Sequence, residues 1–330
     1  MARFKASPYK RRGMRVLFIT STRIGDAVLS TGLLNHLIET DSQPDIWVAC
    51  GVPAAPLFAE TPGVKRVIPL VKKGLLGHWW YLWSRTVTRR WDLVVDLRGS
   101  AIAWLLWTKE RRVLRASSDQ RHRVEQLAAL LGIAPPPAPK IAISEATRAR
   151  ATITIPPGAP VLALGPTANW MPKQWPADRF IELTRRLTAS GGPLEGARIA
   201  VFGAEKERAM AQPLIDAIAR TRLIDLVGRV DVLNAYGCLT RCALYIGNDS
   251  GLMHLAAAAG IPTLGLFGPS PEYHYAPWGE HTAWLRGKRS YDELWREVEA
   301  IGGKKVGNLM GDLNVDQVEQ AARALLEQSR

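Results

Sequence analysis

The first half of the chain alternates short apolar runs with segments of helical periodicity. Apolar, β-prone runs occur at RVLFIT, DIWVAC, VKRVIPL and WDLVVDLR, and a helix is predicted from about Asp26 to Thr40. Buried parallel strands read as short apolar runs, and the crossovers between them read as amphipathic helices. The pattern therefore predicts a parallel sheet built from βαβ units.

The second half restarts the same rhythm. Strands are predicted at VLALGPT, ARIAVFG and LIDLVG, and they are followed by helices from about Ala177 to Ser190, Ala204 to Thr221 and Val232 to Thr240. Two stiff connectors, APPPAP and IPPGAP, separate the halves, and we place the hinge between Ala146 and Pro160. A chain of 330 residues has room for two α/β domains, predicted here as residues 1–150 and 151–330.

The stretch from Tyr245 to Ser270, YIGNDSGLMHLAAAAGIPTLGLFGPS, predicts a strand, a turn, a small-residue helix and a second strand. Asp249 or Ser250 can cap the helix, and Gly251 lets the backbone approach a ligand closely. The N-terminus of a helix favours an anion such as phosphate, and His254, one turn in, can face the same ligand. The alternative is an ordinary βαβ crossover with a close-packed alanine helix.

The net charge of +13 is concentrated in the first half of the chain. Residues 72–123 contain 12 Lys and Arg against four acids, and six of the 12 tryptophans. The apolar spacing from Leu75 to Trp91 predicts an amphipathic surface helix. Basic residues interleaved with tryptophan suit an anionic membrane or glycolipid surface, and the alternatives are a solvated basic face over core aromatics and a nucleic-acid contact. The candidate contact residues are Arg85, Arg89, Arg90, Arg98, Arg121 and Arg123.

Cysteine content and hydropathy bear on the cellular compartment. Cys50, Cys238 and Cys242 are too few and too irregularly spaced for a disulfide framework or a zinc site, which suits a reducing cytoplasm. No apolar run approaches the roughly 20 residues of a transmembrane helix, and the basic arm from Met1 to Arg15 lacks the apolar region of a secretory signal. We therefore expect a cytoplasmic protein.

Three motifs in their order along the chain resemble the family 9 glycosyltransferases: GDAVLSTGLLNHL, PKQWPADRFIEL, and DSGLMHLAAAAG with LFGPSP. The best-known members of that family are ADP-heptose:lipopolysaccharide heptosyltransferases. The resemblance runs from about Arg15 to Leu325 and implies the GT-B fold, an α/β architecture in which two Rossmann-like domains face each other across a cleft. It also implies that the second domain binds most of the nucleotide sugar and the first most of the acceptor. The last helix, about Val315 to Gln328, can return to pack on the first domain, as in related folds.

Gly25 and Asp26 follow the first strand, where an open α/β sheet has its ligand crevice. Asp26 matches the family's proposed catalytic base, which takes the proton from an acceptor hydroxyl as that hydroxyl attacks the anomeric carbon of the sugar. The family inverts the anomeric configuration in one displacement, so a single carboxylate suffices. The alternative is a carboxylate that only stabilises the start of a helix.

The predicted donor site lies in the second domain. The resemblance assigns Lys173 to the nucleotide diphosphate, and Thr167 can add a hydroxyl; the alternative for Lys173 is a solvated side chain. Glu205 and Glu207 follow another strand, and Glu207 is the better match to the family residue that contacts the ribose. Asp249 can cap the helix or bind a sugar hydroxyl.

Several motifs are missing from the sequence. No two aspartates are two residues apart, so there is no Asp-x-Asp pair of the kind that holds a divalent metal in the other major glycosyltransferase fold. G-x-G-x-x-G, G-x-x-x-x-G-K-[ST] and G-x-S-x-G are also absent, which argues against a dehydrogenase, a P-loop NTPase and an α/β-hydrolase. We therefore expect no metal or cofactor, and stabilisation of the leaving group by Lys173 and backbone amides.

Together these features predict a metal-independent, inverting transferase that moves heptose from ADP-heptose to the anionic inner core of lipopolysaccharide. Its predicted partners are the nucleotide-sugar donor, the glycolipid acceptor and the cytoplasmic face of the inner membrane, without nucleic acid. One alternative is a family member with another nucleotide sugar or core acceptor. The other is a non-catalytic basic scaffold on a membrane or nucleic acid.

Overall fold

The computed structural model of the chain describes residues 13–71, 74, 77–115, 119–302 and 306–329. The chain divides into two compact units, Met1–Ile143 and Ser144–Arg330. Each unit is built on one parallel sheet, in agreement with the predicted βαβ rhythm.

The first unit contains a five-stranded parallel sheet in the order β3-β2-β1-β4-β5. Its strands are β1 (Arg15–Ile19), β2 (Asp45–Gly51), β3 (Val64–Leu70), β4 (Trp91–Asp96) and β5 (Thr108–Val113). Its helices are α1 (Ile24–Leu29), α2 (Thr31–Glu39), α3 (Pro56–Ala59), α4 (Gly77–Thr86) and α5 (Arg123–Leu130), with 3₁₀ turns at Val52–Ala54 and Ala101–Trp104. The strand order reverses between β1 and β4, and ligands of open α/β sheets bind at the carboxyl ends of the strands beside such a point.

The helix predicted from Asp26 to Thr40 is two helices, α1 and α2, that meet at Ser30. The hydroxyl of Ser30 donates to the carbonyl of Ala27 at 2.7 Å, and the hydroxyl of Thr31 donates to the carbonyl of Val28 at 2.7 Å. Such bonds from side chains back to preceding carbonyls compete with helical bonding, so the helix is interrupted there.

The helix predicted from Leu75 to Trp91 ends earlier than expected. It spans Gly77–Thr86, and Leu75 and Leu76 lie outside the described residues. Trp91 begins β4 and is buried, and its indole N–H donates to the carbonyl of Thr86 at 3.1 Å. The apolar positions that predicted one helix therefore belong to a helix and to the strand that follows it.

The second unit contains a six-stranded parallel sheet in the order β11-β10-β9-β6-β7-β8. Its strands are β6 (Val161–Gly165), β7 (Arg198–Val201), β8 (Leu223–Asp225), β9 (Leu244–Asn248), β10 (Thr263–Phe267) and β11 (Thr282–Arg286). Its helices are α6 (Glu145–Thr154), α7 (Ala177–Thr188), α8 (Arg208–Ala217), α9 (Val232–Leu239), α10 (Gly251–Ala258), α11 (Glu272–Tyr275), α12 (Tyr291–Ala300) and α13 (Val315–Gln328), with 3₁₀ turns at Met171–Lys173 and Glu205–Glu207. The strand order reverses between β6 and β9.

The division between the units falls before residue 150 and before the predicted hinge at Ala146 to Pro160. Helix α6 occupies most of that stretch, and Thr147 and Ala151 of α6 pack against Gly237 of α9. Because α9 belongs to the second unit, α6 belongs there as well.

Helix α13 packs within the second unit, against α7, β10 and β11. Val318, Ala322 and Leu325 enter the hydrophobic core of that unit. On the surface, Asp316 forms an ion pair with Arg186 of α7, with 2.6 Å between the carboxylate oxygen and the guanidinium nitrogen.

Candidate active site

The predicted donor-binding residues lie in loops at one edge of the second sheet. Strands β10, β9, β6 and β7 are neighbours, and all run parallel, so their carboxyl ends meet at the same edge. The loop after β6 contains Thr167 and Lys173, the loop after β7 contains Glu207, and α10 starts directly after β9. The edge includes the reversal point between β6 and β9, where ligand binding is expected.

Lys173 forms an ion pair with Asp249. The Nζ atom of Lys173 lies 2.7 Å from Oδ2 of Asp249, and the two side chains are 21% and 9% exposed. Burial acts to raise the pKa of Asp249, but the charge of Lys173 and its hydrogen bond hold that pKa below the ordinary value, and His254 acts in the same direction. The pair therefore holds the lysine charge in place at the end of β9.

The N-terminus of α10 has the features of an anion site. Ser250 occupies the N-cap position, but its side chain makes no capping hydrogen bond, so the predicted cap by Ser250 is wrong. The carboxylate of Asp249 pairs with Lys173 instead. Gly251 is the first helical residue, and His254 is buried on the same helix. The first N–H groups of α10, which have no partner within the helix, are thus without a side-chain cap next to a lysine.

Thr167 and Glu207, predicted separately, lie together. The hydroxyl of the buried Thr167 donates to Oε2 of Glu207 at 2.8 Å, and the same oxygen accepts from the backbone N–H of Ala204 at 3.0 Å. Glu207 is half-buried, whereas Glu205 on the same turn is exposed. These contacts orient the carboxylate of Glu207 at the end of β7.

Asn248 is a positioning residue that the sequence analysis missed. Its side chain is fully buried; Oδ1 accepts from the backbone N–H of Trp175 at 2.9 Å, and Nδ2 donates to the carbonyl of Pro166 at 2.8 Å. These two bonds hold both ends of the loop that contains Thr167 and Lys173. The NDSG motif marks the position, but the asparagine's partners lie more than 70 residues away in sequence.

Gly268, in the LFGPS segment after β10, fixes the same loop from another side. A Cβ atom at this position would lie 2.8 Å from the carbonyl oxygen of Pro172 and 3.3 Å from Cα of Lys173. Only a glycine permits this close approach of the two loops. The lysine is therefore positioned by its backbone as well as by its ion pair.

In the first unit, Asp26 lies in the first turn of α1, directly after the loop that follows β1. Its side chain is half-buried, and the hydroxyl of Ser21 lies 3.4 Å from its Oδ2 atom. A Cβ on Gly51, at the end of β2, would lie 2.5 Å from Cα of Thr22, so glycine is required where this loop crosses β2. The carboxylate is thus held at the edge beside the reversal point of the first sheet.

A second carboxylate, Asp96, ends β4 beside β1 and was not predicted as a site residue. It is fully buried and accepts from the backbone N–H groups of Arg98 and Ser100, at 2.9 and 2.8 Å, and from the hydroxyl of Ser100 at 2.6 Å. Burial raises the pKa of Asp96 above its ordinary value, although these bonds oppose the shift. The oxygens of Asp96 are used to hold the turn after β4, so Asp26 is the better candidate for proton transfer.

The predicted acceptor or membrane arginines fall into two groups. Arg89 is half-buried, ion-paired with Asp45, and lies 4.8 Å from the ring centre of Trp47 and 5.1 Å from that of Trp91. Arg121 is paired with Asp119, and Arg123 donates to Gln126 at 3.2 Å. Their interactions in the structure are thus with neighbouring residues of the first unit.

The other three arginines are exposed, and each lies over an aromatic ring. The distances to the ring centres are 5.2 Å for Arg85 over Tyr81, 5.6 Å for Arg90 over Trp107 and 4.7 Å for Arg98 over Trp79. Basic and aromatic groups are therefore interleaved on the surface as well as in the sequence.

In the described part of the chain, no three or more His, Cys, Asp or Glu side chains are grouped as they would be to hold a metal ion. Within the same residues, no helix has both the length and the apolar character needed to cross a bilayer.

The two parallel α/β units, the second with a lysine and a helix N-terminus at one sheet edge, correspond to the GT-B fold of glycosyltransferases. Glycosyltransferase family 9 (heptosyltransferase) matches residues 97–299, more than half of the chain. The chain belongs to glycosyltransferase family 9, and its activity is that of a glycosyltransferase.

Relatives and solved structures agree with the family. Lipopolysaccharide heptosyltransferase 2 of Escherichia coli is 24% identical over 96% of this chain and 99% of its own length, and lipopolysaccharide heptosyltransferase 1 of Pseudomonas aeruginosa is 29% identical over 78% and 79%. The structure of E. coli ADP-heptose lps heptosyltransferase II has a TM-score of 0.77 at 22% identity, covering 96% of this chain and 99% of that one. E. coli heptosyltransferase WaaC with ADP has a TM-score of 0.70 at 18% identity, covering 94% and 100%. These structures confirm the predicted fold class.

Proposed function

We propose that this glycosyltransferase moves heptose from ADP-heptose to the inner core of lipopolysaccharide, with inversion and without a metal ion. The observation that supports it most is the ion pair of Lys173 and Asp249 beside the N-terminus of α10, at the edge that also carries Glu207. The names of the relatives support heptose as the sugar and lipopolysaccharide as the acceptor.

In the proposed donor complex, the diphosphate lies at the N-terminus of α10. The helix dipole and first N–H groups favour the anion, and Lys173, held in place by its ion pair with Asp249, is the cationic side chain beside them. Glu207, oriented by Thr167 and the N–H of Ala204, accepts from the ribose hydroxyls. Asp249, which is paired with Lys173 at the edge of the same site, is the candidate contact for a sugar hydroxyl.

In the proposed reaction, Asp26 accepts the proton of the acceptor hydroxyl as its oxygen forms a bond to the anomeric carbon of heptose. The bond from that carbon to the diphosphate oxygen breaks in the same step, and the electron pair leaves with ADP. The negative charge that develops on the leaving group is stabilised by Lys173 and the α10 amides, so these groups supply the charge that a divalent metal supplies in other transferases.

We propose the first unit as the acceptor side and a peripheral location on the cytoplasmic face of the inner membrane. Support comes from the exposed arginines Arg85, Arg90 and Arg98 on aromatic rings and from the net charge of +13, which match an anionic glycolipid.

A donor titration tests this assignment. By calorimetry of the full chain, ADP-heptose is expected to bind at least about tenfold more tightly than UDP- or GDP-sugars, a difference of about 1.4 kcal/mol. Because no step is assigned to a metal, the affinity for ADP-heptose is expected to be the same with EDTA as with added Mg²⁺. Tighter binding of a UDP- or GDP-sugar would reject the donor assignment, and loss of ADP-heptose binding in EDTA would reject metal independence.

A further inference from the structure

The segment from the end of the second 3₁₀ turn of the first unit to β5 exposes three large apolar side chains. Trp104, Leu105 and Trp107 are 58%, 59% and 65% exposed, and they lie within four consecutive residues. Single exposed apolar residues are ordinary on protein surfaces, but a contiguous group marks an interaction site. We refer to residues 104–107 as the indole loop.

The indole loop is held firmly in its exposed position. Leu106, between the exposed residues, is buried in the core of the first unit, as is Ile102 before it. The guanidinium of Arg111 donates to the carbonyls of Ala103 at 2.7 Å and Leu106 at 2.9 Å, and lies 5.6 Å from the ring centre of Trp104. The loop therefore presents its indoles without having to be ordered by a partner.

Helix α4 carries a second set of exposed aromatics beside the same core. Trp80 is 68% exposed and stacks on Trp83, and Tyr81 is 38% exposed. Leu82 of α4 belongs to the same hydrophobic cluster as Leu106 of the indole loop. Both elements therefore cover one cluster of the first unit and expose aromatic side chains from it.

Positive charge accompanies these exposed rings. Arg90 lies over Trp107, Arg85 lies over Tyr81, and both arginines are exposed. Indoles and phenols settle at the headgroup level of a bilayer, and arginines beside them bind lipid phosphates. A second copy of this chain would bring the same arginines together, so charge complementarity favours an anionic surface over self-association.

We propose that the indole loop and the exposed face of α4 dock this protein on an anionic lipid bilayer. Trp104, Leu105 and Trp107 insert at the headgroup level, while Arg85 and Arg90 contact lipid phosphates. The proposal rests on the proposed function only in that a lipid-linked acceptor requires work at a membrane surface.

Vesicle sedimentation of the full chain tests the docking surface. Binding is expected to rise with the fraction of phosphatidylglycerol in phosphatidylcholine vesicles and to fall at about 1 M salt, where the Debye length shrinks from about 10 Å at 0.1 M to about 3 Å. The double variant Arg85→Gln/Arg90→Gln is expected to bind anionic vesicles roughly 30-fold more weakly, at roughly fivefold for each arginine. The triple variant Trp104→Ser/Leu105→Ser/Trp107→Ser is expected to lose at least about tenfold on the same vesicles, because the buried apolar area is lost.

Matched controls come from the second unit, where Ile153→Ser removes an exposed apolar side chain and Arg148→Gln an exposed arginine. Both controls are expected to bind vesicles as the wild type does, and all variants are expected to keep the wild-type Tm and ADP-heptose affinity.

Wild-type vesicle binding by the triple variant, or no binding of the wild type to anionic vesicles, would overturn the proposal. A change from dimer to monomer in the triple variant, measured by sedimentation equilibrium with vesicle binding unchanged, would assign the surface to a second copy instead. Failure of the proposed function would be distinct, since it would abolish ADP-heptose binding and leave vesicle binding intact.

Discussion

Asp26→Asn is expected to reduce sugar transfer by at least about 10²-fold while donor affinity and Tm stay near the wild-type values. Asparagine has nearly the same shape as aspartate but cannot accept the proton of an acceptor hydroxyl. Asp26 is half-buried, and the side-chain contact described for it is the 3.4 Å approach of Ser21, so little packing or hydrogen bonding is lost. Initial transfer rates, donor calorimetry and thermal unfolding together check this result.

Asp96→Asn is the matched control for that substitution. Asp96 uses its oxygens to accept three hydrogen bonds in a fully buried position, and an amide NH₂ facing one of these donors leaves it unpaired. Loss of a buried hydrogen bond costs about 1–3 kcal/mol, so Asp96→Asn is expected to lower Tm clearly. Wild-type turnover in Asp26→Asn, or a loss of activity explained by a lower Tm, would contradict the role of Asp26 as the base.

Lys173→Met is expected to weaken ADP binding by at least about tenfold and to lower stability at neutral pH. The change removes the positive charge proposed for the diphosphate and leaves the carboxylate of Asp249 buried without its partner. Breaking one side of a buried ion pair costs about 3–5 kcal/mol when both groups are fully buried, and less here because Lys173 is 21% exposed. ADP titration and denaturant unfolding measure the two effects.

A second variant separates binding from stability. Lys173→Met/Asp249→Asn removes both charges, so it is expected to recover most of the lost stability but not the ADP affinity. The pKa of Asp249 is held below its ordinary value. The ion pair therefore stabilises the fold at pH values above that ordinary pKa, and this stabilisation is lost as the pH falls through the lowered pKa. The stability difference between wild type and Lys173→Met should therefore shrink at acidic pH. Recovery of ADP affinity in the double variant would show that Lys173 acts only through the fold.

The sequence was sufficient to predict most of the strands and the residues that follow them. Apolar runs marked β1, β2, β6 and β9, and parallel strands bring their carboxyl ends to one edge of a sheet. The resemblance to family 9 then assigned Lys173 and Glu207 to the donor site before their contacts were known. The start of α10 was also predictable, because the glycine and small residues that form it are adjacent in the sequence.

Contacts between distant parts of the chain were not predictable. Strand β5 has the sequence TKERRV, which reads as a polar segment, yet it pairs with β4 at the edge of the sheet, where charged side chains prevent pairing with other molecules. Arg89 was assigned to the surface because it lies beside the apolar stripe of the predicted amphipathic helix, whereas Asp45 and Trp47 of β2 contact it in the structure. The bonds of Asn248 to Pro166 and Trp175 are likewise tertiary and have no local signal.

Transfer itself tests the central claim most directly. Purified wild-type protein is incubated in EDTA with ADP-heptose, UDP-sugars or GDP-sugars and with inner-core lipopolysaccharide acceptors of defined heptose content, and the glycolipid product is analysed by mass spectrometry and by NMR of the new anomeric centre. The account predicts the addition of one heptose from ADP-heptose alone, with inverted anomeric configuration and release of ADP. Transfer from a UDP- or GDP-sugar, retention of configuration, or no transfer from ADP-heptose to any of these acceptors would contradict it.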